Sequence, residues 1–218
     1  MQVLFHYPWA PYARKSLLAA YETGAEFEEE ITPPFSTEHM TKLRARTYPL
    51  ATVPLLLFDD GEFLSESTSI VEYLDLEAPG GPSLVPQDPR AALKVRSLDR
   101  LAEAILGPTM YLTWALRKPP EKQNSKRLEE TLARLDTTFR IYDKMLAGSP
   151  FVFGDSFTMA DIGPACGISV MLADRSIRRA DLDAHPALKR WYERIETRPT
   201  WQKMIERADR VPRPAELA

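Results

Sequence analysis

The sequence is poor in the residues that build disulfide frameworks and metal sites. Its 218 residues include one cysteine, Cys166, which has no partner for an internal disulfide, and three histidines without metal-like spacing. No apolar run approaches the ~20 residues that span a bilayer. The amino terminus enters a predicted strand directly, without the pattern of a signal peptide. We therefore expect a cytoplasmic protein that uses no metal.

The sequence also has little excess charge. The 28 lysines and arginines and the 31 aspartates and glutamates give a formal net charge of −3. Proteins that bind nucleic acid or an anionic membrane by electrostatic attraction usually carry a clear positive excess. We therefore expect neither nucleic acid nor a membrane as a partner.

The first part of the chain, residues 1–78, alternates strand and helix patterns. Apolar side chains alternate from Val3 to Tyr7, which predicts a strand, and Pro11 then opens a segment with helical spacing. The further predicted elements are a strand at 25–31, a helix at 37–46, strands at 53–58 and 62–64, and a helix at 65–76. The predicted order is therefore β-α-β-α-β-β-α, a small α/β domain.

The rest of the chain reads as helical. Residues 79–89, PGGPSLVPQDP, form a predicted linker because proline and glycine interrupt regular structure. An all-helical domain is predicted over residues 90–218. Its expected helices are 90–117, broken or kinked near Gly107-Pro108, then 122–146, 159–173, 187–194 and 200–207.

Two short motifs of the first domain suit the binding of a small charged peptide. Thr52-Val53-Pro54 places a proline at the start of a buried strand, where a cis peptide bond would present the backbone of Val53 to an extended ligand. The alternative is a proline that merely begins an edge strand. Glu66 and Ser67 begin a predicted helix, so they suit an ammonium and a carboxylate. The alternative there is an ordinary helix cap with an acidic first turn.

A third motif is interpreted as structural. Thr158 and Asp161 form a capping box, and Phe157 with Ile162 forms a hydrophobic staple. This pattern starts a buried helix and carries no chemistry.

These three motifs, in this order, resemble the glutathione S-transferase superfamily. The resemblance covers nearly the whole chain and includes PYARKSLLA, TVPLLLFDDGEFLSESTSIVEYL and SFTMADI. It implies a thioredoxin-like amino-terminal domain that binds glutathione as co-substrate, followed by an all-helical domain. It further implies a cytosolic homodimer and a detoxification reaction, in which the glutathione thiol attacks a small hydrophobic electrophile.

The resemblance also implies roles for individual residues. Val53 corresponds to the backbone that pairs with the cysteinyl part of glutathione, and Pro54 corresponds to the cis-proline. Glu66 and Ser67 correspond to the residues that hold the γ-glutamyl head. Near the glycine end, the corresponding residues are Thr52 and His39.

Ala10 departs from the family pattern at the position where many members place a serine or cysteine. Alanine excludes the cysteine mechanism here and removes the serine hydroxyl that would stabilise the thiolate. Tyr7 is the first substitute as catalytic residue, and Tyr12 is the second. Two alternatives stay open: Tyr7 packs between the domains with its hydroxyl on a backbone carbonyl, or backbone N–H groups alone hold the thiolate.

The electrophile is expected in the cleft between the domains. Its wall is expected to contain aromatic and apolar residues, namely Trp9, Tyr12, Met110, Tyr111 and Trp114. The alternative is that the residues of the long helix face the bundle core. By resemblance, Asp99 is expected to reach the glutathione of the partner subunit.

Three functions compete with the transferase. They are a glutathione-dependent reductase or peroxidase, a glutathione-dependent lyase or isomerase, and a non-catalytic module that binds ligands or proteins. Among the other polar residues, Arg14 is expected to be solvated or salt-bridged, His6 to serve packing, and Cys166 to be a small core residue.

Overall fold

The computed structural model describes residues 2–77 and 83–213. Residues 79–82 of the predicted linker therefore lie outside the described residues, as do both ends of the predicted first domain, residues 1 and 78, and residues 214–218 of the predicted helical domain. No helix in the described part of the chain is long and apolar enough to cross a membrane.

The first elements confirm the predicted order β-α-β-α-β-β-α. They are β1 (Val3–His6), α1 (Pro11–Thr23), β2 (Glu28–Ile31), α2 (Thr37–Arg46), β3 (Leu55–Leu57), β4 (Phe63–Ser65) and α3 (Ser67–Glu77). The sheet has the strand order β2-β1-β3-β4, with β1 and β2 parallel and the other pairs antiparallel. This is the thioredoxin-like arrangement.

The sheet is covered on both faces, which explains why all three leucines of β3 are buried. Phe5 and Leu55 pack with α2 on one face, whereas Leu4 and Leu56 pack with α1 and α3 on the other. A strand that is buried on both faces carries apolar residues throughout instead of alternating apolar and polar ones.

The remaining elements are helical. They are α4 (Pro89–Leu101), α5 (Glu103–Ala115), α6 (Ser125–Leu146), α7 (Met159–Ala173), α8 (Pro186–Glu196) and α9 (Pro199–Asp209), with short 3₁₀ turns at Pro120–Lys122 and Arg179–Leu182. The apolar helix α7 contacts α1, α4 and α5. The fold class of a thioredoxin-like domain followed by a helical domain is confirmed.

The predicted break near Gly107-Pro108 was wrong in its position. The chain breaks at Ala102, between α4 and α5, and Pro108 lies inside α5. Ala102 is fully buried, and its Cβ lies beside Gly163 of α7, where an added methyl would come within 2.8 Å. The packing against α7 therefore decides where the helix ends, and Pro108 costs α5 one hydrogen bond without ending it.

The capping box is confirmed, and it ties α7 to its surroundings. The buried carboxylate of Asp161 accepts hydrogen bonds from the backbone N–H of Val152 at 2.8 Å and from Trp191 Nε1 at 2.8 Å. Burial raises the pKa of Asp161 to about 6, although these hydrogen bonds act to lower it. Its contacts are all internal, so its role is structural.

Two expectations for charged residues were wrong, because both residues are buried. Asp99 is 1% exposed, and Lys15 Nζ lies 2.6 Å from its Oδ1. This pair joins α1 to α4, which leaves Asp99 inaccessible to a partner subunit. Arg14 is also 1% exposed, and it donates to the carbonyl of Pro8 and to Ser169 Oγ instead of meeting solvent or a carboxylate.

Two other expectations are confirmed. Cys166 is fully buried, and burial raises the pKa of its thiol to about 12. His6 is also fully buried, and its Nε2 lies 3.0 Å from Glu29 Oε2. Both residues are therefore part of the packed interior.

Candidate functional site

A polar cavity of about 300 Å³ lies where the turn before α3 meets the start of α1 and the junction of α4 with α5. We call it the polar cavity. Its lining residues are Tyr12, Tyr48, Thr52, Val53, Pro54, Ser65, Glu66, Ser67, Arg100 and Glu103. The structure thus brings together all the residues predicted for glutathione except His39. The Nδ1 of His39 lies 2.7 Å from Ser36 Oγ, at the start of α2.

Val53 presents its backbone at the edge of this cavity. The Val53–Pro54 peptide bond is cis, and the pairing of β3 with its neighbours begins only at Leu55. Among the described residues, neither the N–H nor the carbonyl of Val53 has a hydrogen-bond partner. An extended peptide lying beside Val53 would satisfy both groups.

Glu66 and Ser67 stand at the positive end of α3. Glu66 has a φ of 70°, which is uncommon for a residue other than glycine, and its carbonyl accepts the N–H of Ile70 at 3.0 Å. The Ser67 hydroxyl and the Glu66 carboxylate have no hydrogen-bond partner in the described chain. The helix amides and Ser67 therefore suit a carboxylate, and Glu66 suits an ammonium.

Sequence reasoning missed four residues that line the polar cavity: Tyr48, Ser65, Arg100 and Glu103. Arg100 and Glu103 flank the break between α4 and α5, and no motif or spacing in the sequence indicates that this break faces Ser67. Tyr12 donates its hydroxyl to Glu103 Oε2 at 2.7 Å. Burial and the Glu103 carboxylate raise the pKa of Tyr12, so its hydroxyl is already engaged as a donor to a carboxylate.

The start of α1 adjoins the polar cavity. Ala10 is the residue before the helix, Pro11 is its first residue, and no side chain caps this end. The backbone N–H groups of Tyr12 and Ala13 have no partner among the described residues. Val53 packs on the same cluster as Ala10 and Ala13. A thiol held beside Val53 would therefore lie next to unpaired helix amides, which favour the thiolate.

The side chains that precede Ala10 bond to the segment after α9. The Tyr7 hydroxyl donates to the carbonyl of Pro212 at 2.8 Å, and Trp9 Nε1 donates to the carbonyl of Val211 at 2.9 Å. Tyr7 is 1% exposed. This contact agrees with the alternative interpretation of Tyr7, in which its hydroxyl donates to a backbone carbonyl.

A small apolar slot of about 20 Å³ opens beside Ala10, between the sheet domain and α5. We define it by its lining residues, which are Tyr7, Trp9, Ala10, Pro34, Phe35, Met110, Thr113, Trp114 and Arg117. Met110 and Trp114 therefore face the cleft. Tyr111 lies elsewhere: its ring packs on the main core, and the guanidinium carbon of Arg127 sits 4.3 Å from its centroid.

Metal binding finds no support in the described residues, which contain no group of three or more histidine, cysteine, aspartate or glutamate side chains placed to hold an ion.

Comparison with known proteins gives consistent matches over both parts of the chain. The profile described as "Glutathione S-transferase, N-terminal domain" matches residues 4–82, and "Glutathione S-transferase, C-terminal domain" matches residues 108–199. "Glutathione S-transferase 2" of Saccharomyces cerevisiae is 30% identical over 161 residues, covering 71% of this chain and 67% of the yeast protein. "Glutathione S-transferase PARB" of Nicotiana tabacum is 29% identical, covering 85% and 88%.

Solved structures agree. A glutathione S-transferase from Methylobacillus flagellatus, crystallised with GSH bound, superposes with a TM-score of 0.83 at 27% identity. The match covers 94% of this chain and 98% of that one.

Proposed function

The chain belongs to the glutathione S-transferase family, and from this premise we propose that it is a glutathione transferase acting on a hydrophobic electrophile. The observation that carries the proposal is the polar cavity. It combines the unpaired backbone of Val53 with Glu66 and Ser67, next to the unpaired amides of α1.

Glutathione fits the polar cavity by its charges and shape. It is an extended tripeptide with two carboxylates and one ammonium. In the proposed pose the cysteinyl backbone pairs with Val53, while the γ-glutamyl head lies at Glu66 and Ser67. Arg100, which lines the same cavity, offers a cation for a carboxylate. A related structure at 27% identity holds glutathione, which supports this assignment.

The thiolate is proposed to rest on the backbone N–H groups of Tyr12 and Ala13. A free thiol has a pKa of about 8.5, so ionisation near pH 7 needs a stabilising environment. The nearby side-chain donors are engaged elsewhere: Tyr7 with Pro212, Trp9 with Val211, and Tyr12 with Glu103. Tyr7, the first candidate from the sequence, could donate to the thiolate only after breaking its hydrogen bond to the Pro212 carbonyl.

The electrophile is proposed to bind with its reactive carbon at the apolar slot. Trp9, Met110 and Trp114 line this slot beside Ala10. The thiolate would attack an electrophilic carbon there, forming a sulfur–carbon bond while the leaving group departs with its electron pair. Ala10 excludes a mixed disulfide at its own position, which disfavours a cysteine-dependent reductase.

A homodimer is proposed from the family resemblance. Leu76 on α3 and Leu93 on α4 are 81% and 66% exposed, and the Glu72–Arg96 ion pair holds these two helices together at 2.8 Å. Exposed leucines on adjoining helices suit burial by a second copy. Sedimentation should give a dimer mass, and Leu93→Glu should weaken it.

The transferase proposal is tested by calorimetry and by turnover. Ser67→Ala should weaken glutathione binding by ~1–3 kcal/mol, because a charged carboxylate loses its partner. Ser69→Ala is the matched control, since Ser69 lies on the same helix but is exposed and outside the polar cavity. Conjugation of a chlorinated nitroaromatic, without reduction of a hydroperoxide, would separate the transferase from a peroxidase. Absence of saturable glutathione binding to folded protein would end the proposal.

A further inference from the structure

We propose that the electrophile of this transferase carries an anionic group, such as a carboxylate, which Arg117 binds in a second cavity beyond the apolar slot. The inference rests on the proposed function and names the chemical class of the second substrate.

The second cavity lies beside the apolar slot. It measures about 300 Å³, and its lining residues are Trp9, Thr113, Leu116, Arg117, Val170, Ala173, Asp174, Arg175, Ser176 and Arg213. We call it the arginine cavity. Trp9, Thr113 and Arg117 line both the slot and this cavity. A molecule whose reactive carbon lies beside Ala10 can therefore extend past Trp9 and reach Arg117.

The charges around the arginine cavity favour an anion. Three arginines and a single aspartate, Asp174, are its charged lining residues in the described chain. The Asp174 carboxylate accepts hydrogen bonds from the Thr113 hydroxyl at 2.6 Å and from the Ser176 N–H at 2.9 Å. Within the described residues it forms no ion pair with any of the three arginines. Arg213 is paired with Asp209 at 3.7 Å, so Arg117 and Arg175 supply the positive charge that remains in excess over Asp174.

Among the arginines of the cavity, Arg117 is the one best placed to bind an anion. Its guanidinium carbon lies 5.4 Å from the centroid of Trp114, an aromatic residue of the slot. Arg117 has no hydrogen bond or ion pair with other described residues. Partial burial lowers the pKa of the guanidinium, and the charge of Asp174 only partly offsets this effect. The planar guanidinium is suited to hold a carboxylate through two parallel hydrogen bonds.

Arg175 adds to the field of the cavity. It lines the cavity, adopts a φ of 63° at the end of α7, and has no ion pair among the described residues. The backbone conformation is set by the turn in which Asp174 binds Ser176. Two arginines without counter-ions thus face one cavity, Arg117 from the turn after α5 and Arg175 from the turn after α7.

The shape of the two connected spaces indicates the body of the substrate. Aromatic side chains, Trp9 and Trp114, surround the path from Ala10 to Arg117, which suits a flat ring. The arginine cavity, at about 300 Å³, is at the low end for small-molecule sites, whereas the slot, at about 20 Å³, admits only the edge of a ring. We therefore expect a monocyclic aromatic acid whose electrophilic carbon lies across the ring from the anion.

The test compares two acceptors that differ in charge. They are a chloronitrobenzoate and the corresponding chloronitrobenzamide, each corrected for its uncatalysed reaction with glutathione. The variants are Arg117→Met, Arg117→Lys and, as the matched control, Lys118→Met. Lys118 is the adjacent exposed cation and does not line the cavity.

We expect Arg117→Met to lower kcat/KM for the benzoate on the order of tenfold or more, since a charge-assisted pair is lost. The loss for the benzamide should be several-fold smaller, because the neutral amide forms no charge-assisted pair with Arg117. Arg117→Lys should restore part of the benzoate activity, and Lys118→Met should leave both acceptors unchanged. Equal losses for the two acceptors, or no loss for either, would overturn the inference.

Binding measurements keep this inference separable from the transferase proposal. Calorimetry with the benzoate alone should show binding to the wild-type protein and a loss of on the order of tenfold in Arg117→Met. If that loss occurs while neither acceptor is turned over, the anion site stands and the transferase proposal fails. If the benzamide is conjugated but the benzoate binds the wild type and Arg117→Met alike, the anion site fails and the transferase stands.

Discussion

The Tyr7 hydroxyl and the Pro212 carbonyl oxygen lie 2.8 Å apart, in a hydrogen bond that joins the end of β1 to the segment after α9. Trp9 makes a parallel contact, through its indole N–H, with Val211. The residues before α1 thus hold the carboxyl-terminal segment against the apolar slot. The Tyr7 hydroxyl, which the sequence suggested as a catalytic group, therefore makes a structural hydrogen bond.

Tyr7→Phe should leave the pKa of the bound thiol unchanged and lower the free energy of unfolding by ~0.5–1.5 kcal/mol, the value of one hydrogen bond. The thiolate absorbance of bound glutathione, followed against pH, measures the first quantity, and urea unfolding measures the second. Tyr142→Phe is a suitable control, because the buried Tyr142 hydroxyl has no hydrogen-bond partner within residues 2–77 and 83–213 and its removal should cost nothing. A raised thiol pKa in Tyr7→Phe would identify Tyr7 as the donor instead.

Ala10→Ser should lower the pKa of the bound thiol and accelerate conjugation, because the added hydroxyl would lie at the start of α1 beside the unpaired amides. Ala10→Gly, which adds no donor, is the control. The same absorbance titration and the rate with a chlorinated nitroaromatic are the measurements. A raised thiol pKa would mean that the serine oxygen caps the helix amides itself, and it would identify these amides as the donors that hold the thiolate in the wild type.

Glu66→Gln should weaken glutathione binding by ~1 kcal/mol, since Glu66 is exposed and its pairing with the ammonium is partly screened. An analogue of glutathione that lacks the α-amino group should bind both proteins equally. Glu62→Gln is the control, because Glu62 is also exposed but lies outside the polar cavity. Calorimetry that shows the same loss for glutathione and for the analogue would remove Glu66 from the ammonium site.

Glu29 should make stability depend on acid pH. Burial alone would raise the pKa of Glu29, but hydrogen bonds from His6 and Arg207 lower it from 4.5 to about 2. A carboxyl with a lowered folded-state pKa stabilises the protein fully above its unfolded pKa. This contribution, ~3 kcal/mol at most, is lost as the pH falls from about 4.5 towards about 2.

Glu29→Gln should therefore reduce the unfolding free energy at pH ~7 and make its decline towards pH ~3.5 shallower. Glu28→Gln is the control, because the adjacent Glu28 is exposed. Urea unfolding at the two pH values gives both slopes. Parallel slopes for Glu29→Gln and the wild type would show that Glu29 does not titrate as described.

The glycines of α5 and α7 should respond to alanine with opposite signs. At Gly167 of α7 an added Cβ would lie 2.6 Å from Ile105 Cγ2, so Gly167→Ala should destabilise by ~1–3 kcal/mol. At Gly107 of α5 an added Cβ would have no atom of the described residues within 4 Å, its own helix backbone aside. Gly107→Ala should stabilise by ~0.5–1 kcal/mol, through helix propensity alone. Thermal and urea unfolding of both variants check this, and a stable Gly167→Ala would mean that α5 and α7 pack less closely.

The sequence by itself determined the local elements and the residues of the main motifs. The helix predicted at 37–46 is α2, Thr37–Arg46, because a serine cap and apolar spacing are local signals. The capping box at Thr158 and Asp161 is likewise local. Val53, Pro54, Glu66 and Ser67 were found together because strand ends and helix starts converge in a small α/β domain.

Only the tertiary structure decided which groups meet across the chain. It placed the helix break at Ala102, buried Asp99 against Lys15, turned Trp114 to the slot and Tyr111 to the core, and brought Arg100 and Glu103 beside Ser67. It also engaged Tyr7 with Pro212. These outcomes depend on packing between residues far apart in sequence, and periodicity within one segment carries no information about the neighbour that it will contact.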